Sequence, residues 1–433
     1  MRTLIAAVLL LFAVTALAQQ VDPQLAAYID SIQAIDNHAH VVAADVSNDK
    51  DYDALRCDML PPGKALPPAN MRWNPDFQAA WKALYGITPA SAEEAEAKRT
   101  QALVQLRQAH PEPEWVLQQA GVAVELANRI AMSPALKAPN FRWVPYDDAL
   151  LFPLDNSSLK TANPEREALF NMVDDLRKKY LQSLGLVTIP ETLADYLDRV
   201  VRPTLQRQKD GGSVAIKFEV AYLRQLNFGP ALRRSAEGAY RRYSSGGAPF
   251  SADYKLLQDY LFQYIASEAG RLGLAVHIHT GAGCGEYFDD SGSDPMLLET
   301  VLNDPTLRNT NFVLLHGATP FNRHISTLIL KPNVYVDTSV LEYYFSAQEV
   351  ANVLRPWLEM MPEHVIFGTD SGPLAPGIGW EESLWFGSRK FRIALGITLT
   401  QMEKDGVVTD LRARQIAERV LRGNAADLYH ISR

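Results

Sequence analysis

The chain has 433 residues, 47% of them hydrophobic, and a formal net charge of −8 that is spread without any long run of one sign. That balance leaves no electrostatic footprint for nucleic acid, and the length suits one large α/β barrel with insertions. The two cysteines, Cys57 and Cys284, are unclustered, which excludes a thiolate-held zinc and leaves any metal to imidazole and carboxylate; whether they pair is not fixed by the sequence.

The N-terminus, MRTLIAAVLLLFAVTALAQQ, carries one basic residue, an apolar run and the small-x-small pattern Ala16-Leu17-Ala18. This is the pattern of a secretory signal peptide cleaved after Ala18, and Leu4 to Ala18 is short against the roughly 20 apolar residues of a membrane span. The expectation is export to the periplasm or the exterior, with a domain over 19–433 free of the membrane once the signal (1–18) is removed. SIQAIDNHAH (31–40) reads as a first strand ending in histidines, and a charged, helix-forming insertion follows at about 45–118, with the Pro-rich run CDMLPPGKALPPAN inside it. AGVAVELAN (120–128) and FRWVPYDDALLF (141–152) read as the second and third strands, before a second helical insertion at about 155–210. A regular rhythm then begins: SVAIKF (213–218), LAVHIH (274–279), NFVLLH (311–316), NVYVDT (333–338) and HVIFGTD (364–370), with helix-period stretches at 251–272, 295–304, 321–330 and 347–361. Residues 380–430 read as closing helices. Strands alternating with helices indicate a parallel sheet covered by helices, and eight strands close a (β/α)8 TIM barrel. Both insertions then rise over the face where this fold does its chemistry, as candidate lids.

The histidines gather at strand ends: His38 and His40, His277 and His279, and His316. Alternate side chains on a strand share a face, so His38 and His40 aim at one point. His277 and His279 also share a face, and either can be a ligand. Imidazole suits zinc, manganese, iron or nickel. Asp370 ends the eighth strand before the turn Ser371-Gly372-Pro373, where an acid can bind a metal and take a proton, or else cap the next helix. Lys217 in AIKFE sits at a strand end, where an unpaired buried ammonium is costly. Arg224 is either a clamp for a substrate carboxylate or an exposed loop residue. The Gly-rich GAGCGEY loop can bring backbone N–H groups to a substrate, with Cys284 in it as a loop or disulfide residue; Tyr343 and Tyr344 are candidates for the pocket wall. His110, His324, His364 and His430 read as structural or surface histidines.

The combination of DxHxH on the first strand, single strand-end histidines on the fifth and sixth, and GTD on the eighth resembles the amidohydrolase superfamily, over nearly all of 19–433. AIKFEVAYLR, HIHTGAG, DPMLLETVL, FVLLHGATPF, NVYVDTS and VIFGTDSG are similar to the amidohydrolase-related branch that includes the domains fused to glutamine synthetase in plants and fungi. The resemblance implies that His38, His40, His279 and Asp370 hold a divalent cation, zinc ahead of manganese, iron or nickel, with one or two ions per chain. It favours His279 over His277 as the fifth-strand ligand, and it makes His316 the residue that positions or polarises a substrate and stabilises an oxyanion. Binuclear members place a carbamylated lysine at the position of Lys217, which is thus a bridging carbamate, a catalytic lysine, or a partner of Glu219 or another acid. The implied reaction is hydrolysis of an amide-type C–N bond in a small molecule by metal-activated water, with Asp370 accepting the proton. Metal-dependent decarboxylases and sugar-acid isomerases on the same scaffold share these residues. A non-catalytic exported metal- or ligand-binding protein is the third reading, against which a metal shell joined to a proton acceptor argues. A homo-oligomer is open, and the substrate is set by loops that sequence does not shape.

Overall fold

The computed structural model describes residues 21–42, 49, 51–55, 75–88, 92–110, 112–285, 287–374 and 378–432. The expected signal segment, Cys57 and the Pro-rich run at 57–70 lie outside them. The described strands are β1 (Ala34–Ala39), β2 (Val122–Asn128), β3 (Phe141–Val144), β4 (Ala215–Phe218), β5 (Ala275–His279), β6 (Phe312–Leu315), β7 (Val334–Asp337) and β8 (Val365–Ile366). They pair in chain order as β1-β2-β3 and β4-β5-β6-β7-β8, every pair parallel. Parallel bridges Trp143↔Ser213 and Tyr146↔Lys217 join β3 to β4, and Ala39↔Ser371 joins β1 to the segment after β8. Asn37 N donates to Phe367 O (2.9 Å) and Asp370 N to His38 O (2.7 Å) at the same seam. The ring of eight strands therefore closes, as the alternating pattern predicts.

Period-2 alternation splits the strands into two layers. Ile216, Phe218, Val276, Ile278, Phe312 and Leu314 join the large core under the surrounding helices. Ala215, Ala275, Val313 and Leu315, at the opposite parity, form a separate cluster with Ile35, Val124, Val144 and Ile366, plugged by Ala425, Ala426 and Tyr429 near the C-terminus. Side chains of one parity face the helices and those of the other fill the barrel. Lys217, His277 and His279 carry the inner parity.

The strands are shorter than their sequence patterns, β3 and β8 most of all. Pro145, which lacks an N–H, ends β3, and a helical turn at Asp148–Leu151 follows. Beyond Ile366 the chain stays close to β1, but Asp370 has φ 59°, outside the β region. After β1, helices run over Pro75–Tyr85 and Ala92–Ala109. Their neighbour is the long helix Trp380–Lys404, on which Phe77 stacks against Phe386 with ring centroids 4.2 Å apart. No described helix is long and apolar enough to cross a membrane.

Candidate metal centre and substrate cavity

Asp36, His38 and His40 alternate along the end of β1. The buried Asp36 carboxylate accepts from Thr369 N (2.9 Å), Thr369 Oγ1 and His38 N (3.2 Å), which ties β1 to the segment leading out of β8. The left-handed backbone of Asp370 then turns its carboxylate back over the barrel. His38 Nε2 lies 3.0 Å and His40 Nε2 3.3 Å from the same oxygen, Asp370 Oδ1.

The buried atoms His38 Nδ1 and Nε2, Asp370 Oδ1, His279 Nε2 and Glu219 Oε2 make no hydrogen bond. Buried polar atoms are ordinarily paired, and a convergent set of imidazole and carboxylate donors fits a divalent cation of the zinc, manganese or iron type. Among the described residues, ligand atoms fall within 4.8 Å of one another in two groups, His38 with His316 and Asp370, and His38 with His40 and Glu219; His279 belongs to neither. Burial pushes His38 and His316 well below the usual histidine range. Burial also works against a charged His40, but Asp53 and Asp370 on its two sides outweigh that and raise it to about 10. Burial would raise Asp370; His40, with its Nε2 3.3 Å from Oδ1, and the nearby His316 and Lys217 bring it below the ordinary carboxylate value instead.

On the next strands, Lys217 Nζ sits 2.8 Å from Glu219 Oε1, and Glu219 Oε2 sits 3.3 Å from His279 Nδ1. Burial opposes the charge on Glu219, but Lys217 and His279 hold it well below the carboxylate range. Lys217 is thus within ion-pair distance of Glu219, the partner named in one of its three readings. His279 reaches the cavity, whereas His277 lies deeper, its Nε2 2.7 Å from Tyr429 Oη. Tyr429 donates to Asn37 Oδ1, and Asn37 Nδ2 donates to Asp337 Oδ2 at 2.9 Å. His277 thus belongs to a buried polar chain beneath the centre, where burial pushes it down to about 3.

His316 Nδ1 lies 2.9 Å from Ser339 Oγ, which donates to Asp337 Oδ1 at 2.7 Å. A serine hydroxyl has one proton. With that proton on Asp337, Ser339 accepts from His316 Nδ1–H and leaves a lone pair on Nε2. A neutral imidazole in this form takes a proton or holds a cation but does not donate to an oxyanion. In this tautomer the oxyanion role expected of His316 would need a further proton on Nε2.

Arg224 is also placed differently from the expected substrate clamp. Its Nη2 pairs with Asp259 Oδ1 at 2.8 Å and its guanidinium lies 4.3 Å from the Phe228 ring centre, away from the cavity lining. With its charge matched by Asp259, it fastens its loop to the helix Ser251–Arg271. Tyr344 lines the cavity, while Tyr343 is spent on Ser383 O (3.2 Å) and a stack on Phe386. The cleft encloses about 800 Å³, part of it open to solvent, and His40, Asp53, Glu219, Tyr222, His279, His316, Asp370 and the disulfide-bonded Cys284 line it. Asp53, Tyr146, Glu219 and Ser339 were not singled out as site residues by sequence reasoning. Glu219 carried a signal, two positions beyond Lys217; Asp53, inside the first insertion, carried none.

Comparison with known proteins agrees with this architecture. A family model described as amidohydrolase matches residues 185–431, which include His279, His316 and Asp370. The protein fluG of Emericella nidulans is 26% identical over 235 residues, 52% of this chain and 26% of that protein, so the chain spans about a quarter of that relative's length. Among solved structures, a Lactobacillus casei protein described as a metal-dependent hydrolase superposes with TM-score 0.64 at 15% identity, over 95% of this chain and 98% of that one. Uronate isomerase of Thermotoga maritima gives 0.62 at 13% identity, over 94% and 96%. Glucuronate isomerase of Caulobacter crescentus gives 0.60 at 13%, over 95% and 94%. At these identities the likeness is one of fold.

Proposed function

The chain belongs to the amidohydrolase family, and from that premise we propose that it is a zinc-dependent hydrolase cleaving an amide-type C–N bond of a small molecule. The observation that carries this reading is the convergence of His38 Nε2 and His40 Nε2 on Asp370 Oδ1 at the floor of an open cavity. His38, His40 and Asp370 would hold the cation, with His279 beside them. A bound zinc supplies a Lewis acid that lowers the pKa of water from about 15.7 toward about 7. Asp370, kept ionised by His40, accepts the proton of the attacking water and returns it to the leaving nitrogen. His316, with its Nε2 lone pair, receives a substrate N–H or a proton. Tyr222 and Tyr344 form aromatic wall that shields the reacting bond from bulk water. With residues 1–18 as an export signal and 19–433 as one barrel domain, the enzyme works in the periplasm or outside the cell, on a small-molecule substrate and off the membrane.

The test is elemental analysis of the purified chain followed by a screen of amides and of aromatic or unsaturated carboxylic acids, read out as released amine and as carbon dioxide. Amine release that depends on zinc is expected, with Asp370→Asn lowering it by about 10²- to 10⁴-fold. Carbon dioxide from the acids without amine from the amides replaces hydrolysis by decarboxylation. An Asp370→Asn variant that keeps its metal and full turnover removes Asp370 as the proton acceptor.

A further inference from the structure

The side of His40 that faces away from Asp370 is built as carefully as the side that faces it. Tyr146 Oη lies 3.2 Å from His40 Nδ1 and donates to Asp53 Oδ1 at 2.8 Å. Asp53 Oδ2 lies 3.4 Å from the same Nδ1. Tyr146 is fully buried, and its own backbone carbonyl accepts from Tyr180 Oη. Asp53 comes from the segment after β1, in which alternate acids are each fastened: Asp49 to Arg129, Asp51 to Lys179, and Asp53 to Tyr146 and His40. The carbonyl of Asp51 also accepts from Ile130 N at 3.0 Å, beyond the end of β2.

We propose that Asp53 and Tyr146 are positioning residues of the cation site, which fix His40 with its proton on Nδ1 and its lone pair on Nε2. This rests on the reading of His40 as a cation ligand. A carboxylate only accepts hydrogen bonds, so the single proton of Tyr146 points to Asp53 and its oxygen must accept. The donor to that oxygen is His40 Nδ1–H. With the cation bound, Nε2 would then be the unprotonated nitrogen, turned toward Asp370 Oδ1, the form that binds a cation. Without Asp53 the phenol proton is free to turn to Nδ1, which favours the opposite tautomer and puts a proton where the cation should sit. The segment after β1 thereby reaches into the metal centre through His40.

The test measures zinc affinity of the full chain by competition with a chromogenic chelator, in the wild type and in Asp53→Ala, Tyr146→Phe, the double variant and His40→Ala. Asp53→Ala is expected to weaken zinc binding about 10- to 100-fold. The double variant is expected to bind more tightly than Asp53→Ala, because the misdirected phenol proton is gone; a purely structural role gives additive losses instead. In the zinc-loaded wild type, ¹⁵N-histidine spectra should show His40 protonated at Nδ1 and not at Nε2, which needs no variant to fold. Affinity lost in His40→Ala but kept in Asp53→Ala, additive losses in the double variant, or the reverse tautomer overturns this inference alone. Wild-type affinity in His40→Ala overturns the cation reading and the inference together.

Discussion

Lys217 Nζ and Glu219 Oε1 stand 2.8 Å apart at the end of β4, with Lys217 wholly buried and Glu219 nearly so. Removing one member of a buried pair strands the other charge, at a cost of about 3–5 kcal/mol, whereas replacing both by apolar groups of like volume is close to neutral. Glu219→Gln is therefore expected to lower the urea midpoint of metal-free protein far more than the double variant Lys217→Met/Glu219→Leu. With Lys217 committed to Glu219, metal analysis of the wild type is expected to give one ion per chain. Two ions per chain would mean that Lys217 leaves this pair to bridge them.

Most of the barrel was readable in the sequence. Short β-branched runs ending in polar residues marked the last five strands, the first three were legible from their own segments, and alternation put His277 and His279 on one face. Parity could not separate His277 from His279, because depth in the barrel decides between them, and the depth of His277 is set by Tyr429 at the far end of the chain. Arg224 was misjudged because its partner Asp259 lies on a later helix. Asp53 was invisible for a related reason: it sits in an insertion without periodicity, and its role comes only from the approach of that segment to His40 and Tyr146.

Ser339 couples His316 to Asp337. Ser339→Ala removes the acceptor for His316 Nδ1–H and frees the ring to change tautomer. Loss of such a support costs about 10- to 100-fold in activity or metal affinity. The expected outcome is a fall of that size in kcat on the best amide from the screen, with the thermal midpoint little changed. Unaltered kcat would show that the barrel holds His316 without Ser339.

Asp147 gives a pH signature separate from the metal centre. Burial pushes its carboxyl up to about 7, against a hydrogen bond from Gln208 Nε2 at 2.7 Å, and its Oδ2 has no partner. Between the unfolded value near 3.8 and about 7, the folded chain keeps a proton that the unfolded chain has released. This contribution to stability is full below the unfolded pKa and is lost as the pH rises toward 7, by at most about 1.4 kcal/mol per pH unit. Asp147→Asn keeps the acceptor for Gln208 and removes the titration. Denaturant midpoints should show the variant more stable than the wild type at pH 8, with the gap closing by pH 4.5. A gap that does not change with pH would place the Asp147 proton elsewhere.

Glu382 fastens the first insertion beside the cavity mouth. Its carboxylate, fully buried, accepts from Arg99 Nη2 (3.0 Å), Tyr85 Oη (2.8 Å) and Gly379 N (2.9 Å), and the neighbouring Glu381 accepts from Arg107 Nη2 (2.7 Å). These acids open the helix Trp380–Lys404, while Arg99, Arg107 and Tyr85 belong to the two helices after β1. Loss of the Glu382 charge leaves Arg99 poorly matched and weakens one of the contacts, with the Phe77–Phe386 stack among the others, that join those helices to the long helix, so they can open locally. Glu382→Gln should therefore speed hydrogen exchange over 75–109 while β4 to β7 keep their protection. KM should rise with it, because the same helix is preceded by Gly372, Pro373 and Leu374 of the cavity wall. A pair this buried is little screened, so 0.5 M salt should leave exchange in the wild type unchanged. Faster exchange in the wild type at high salt would instead identify the contact as an exposed surface pairing, and the insertion as held by its other contacts.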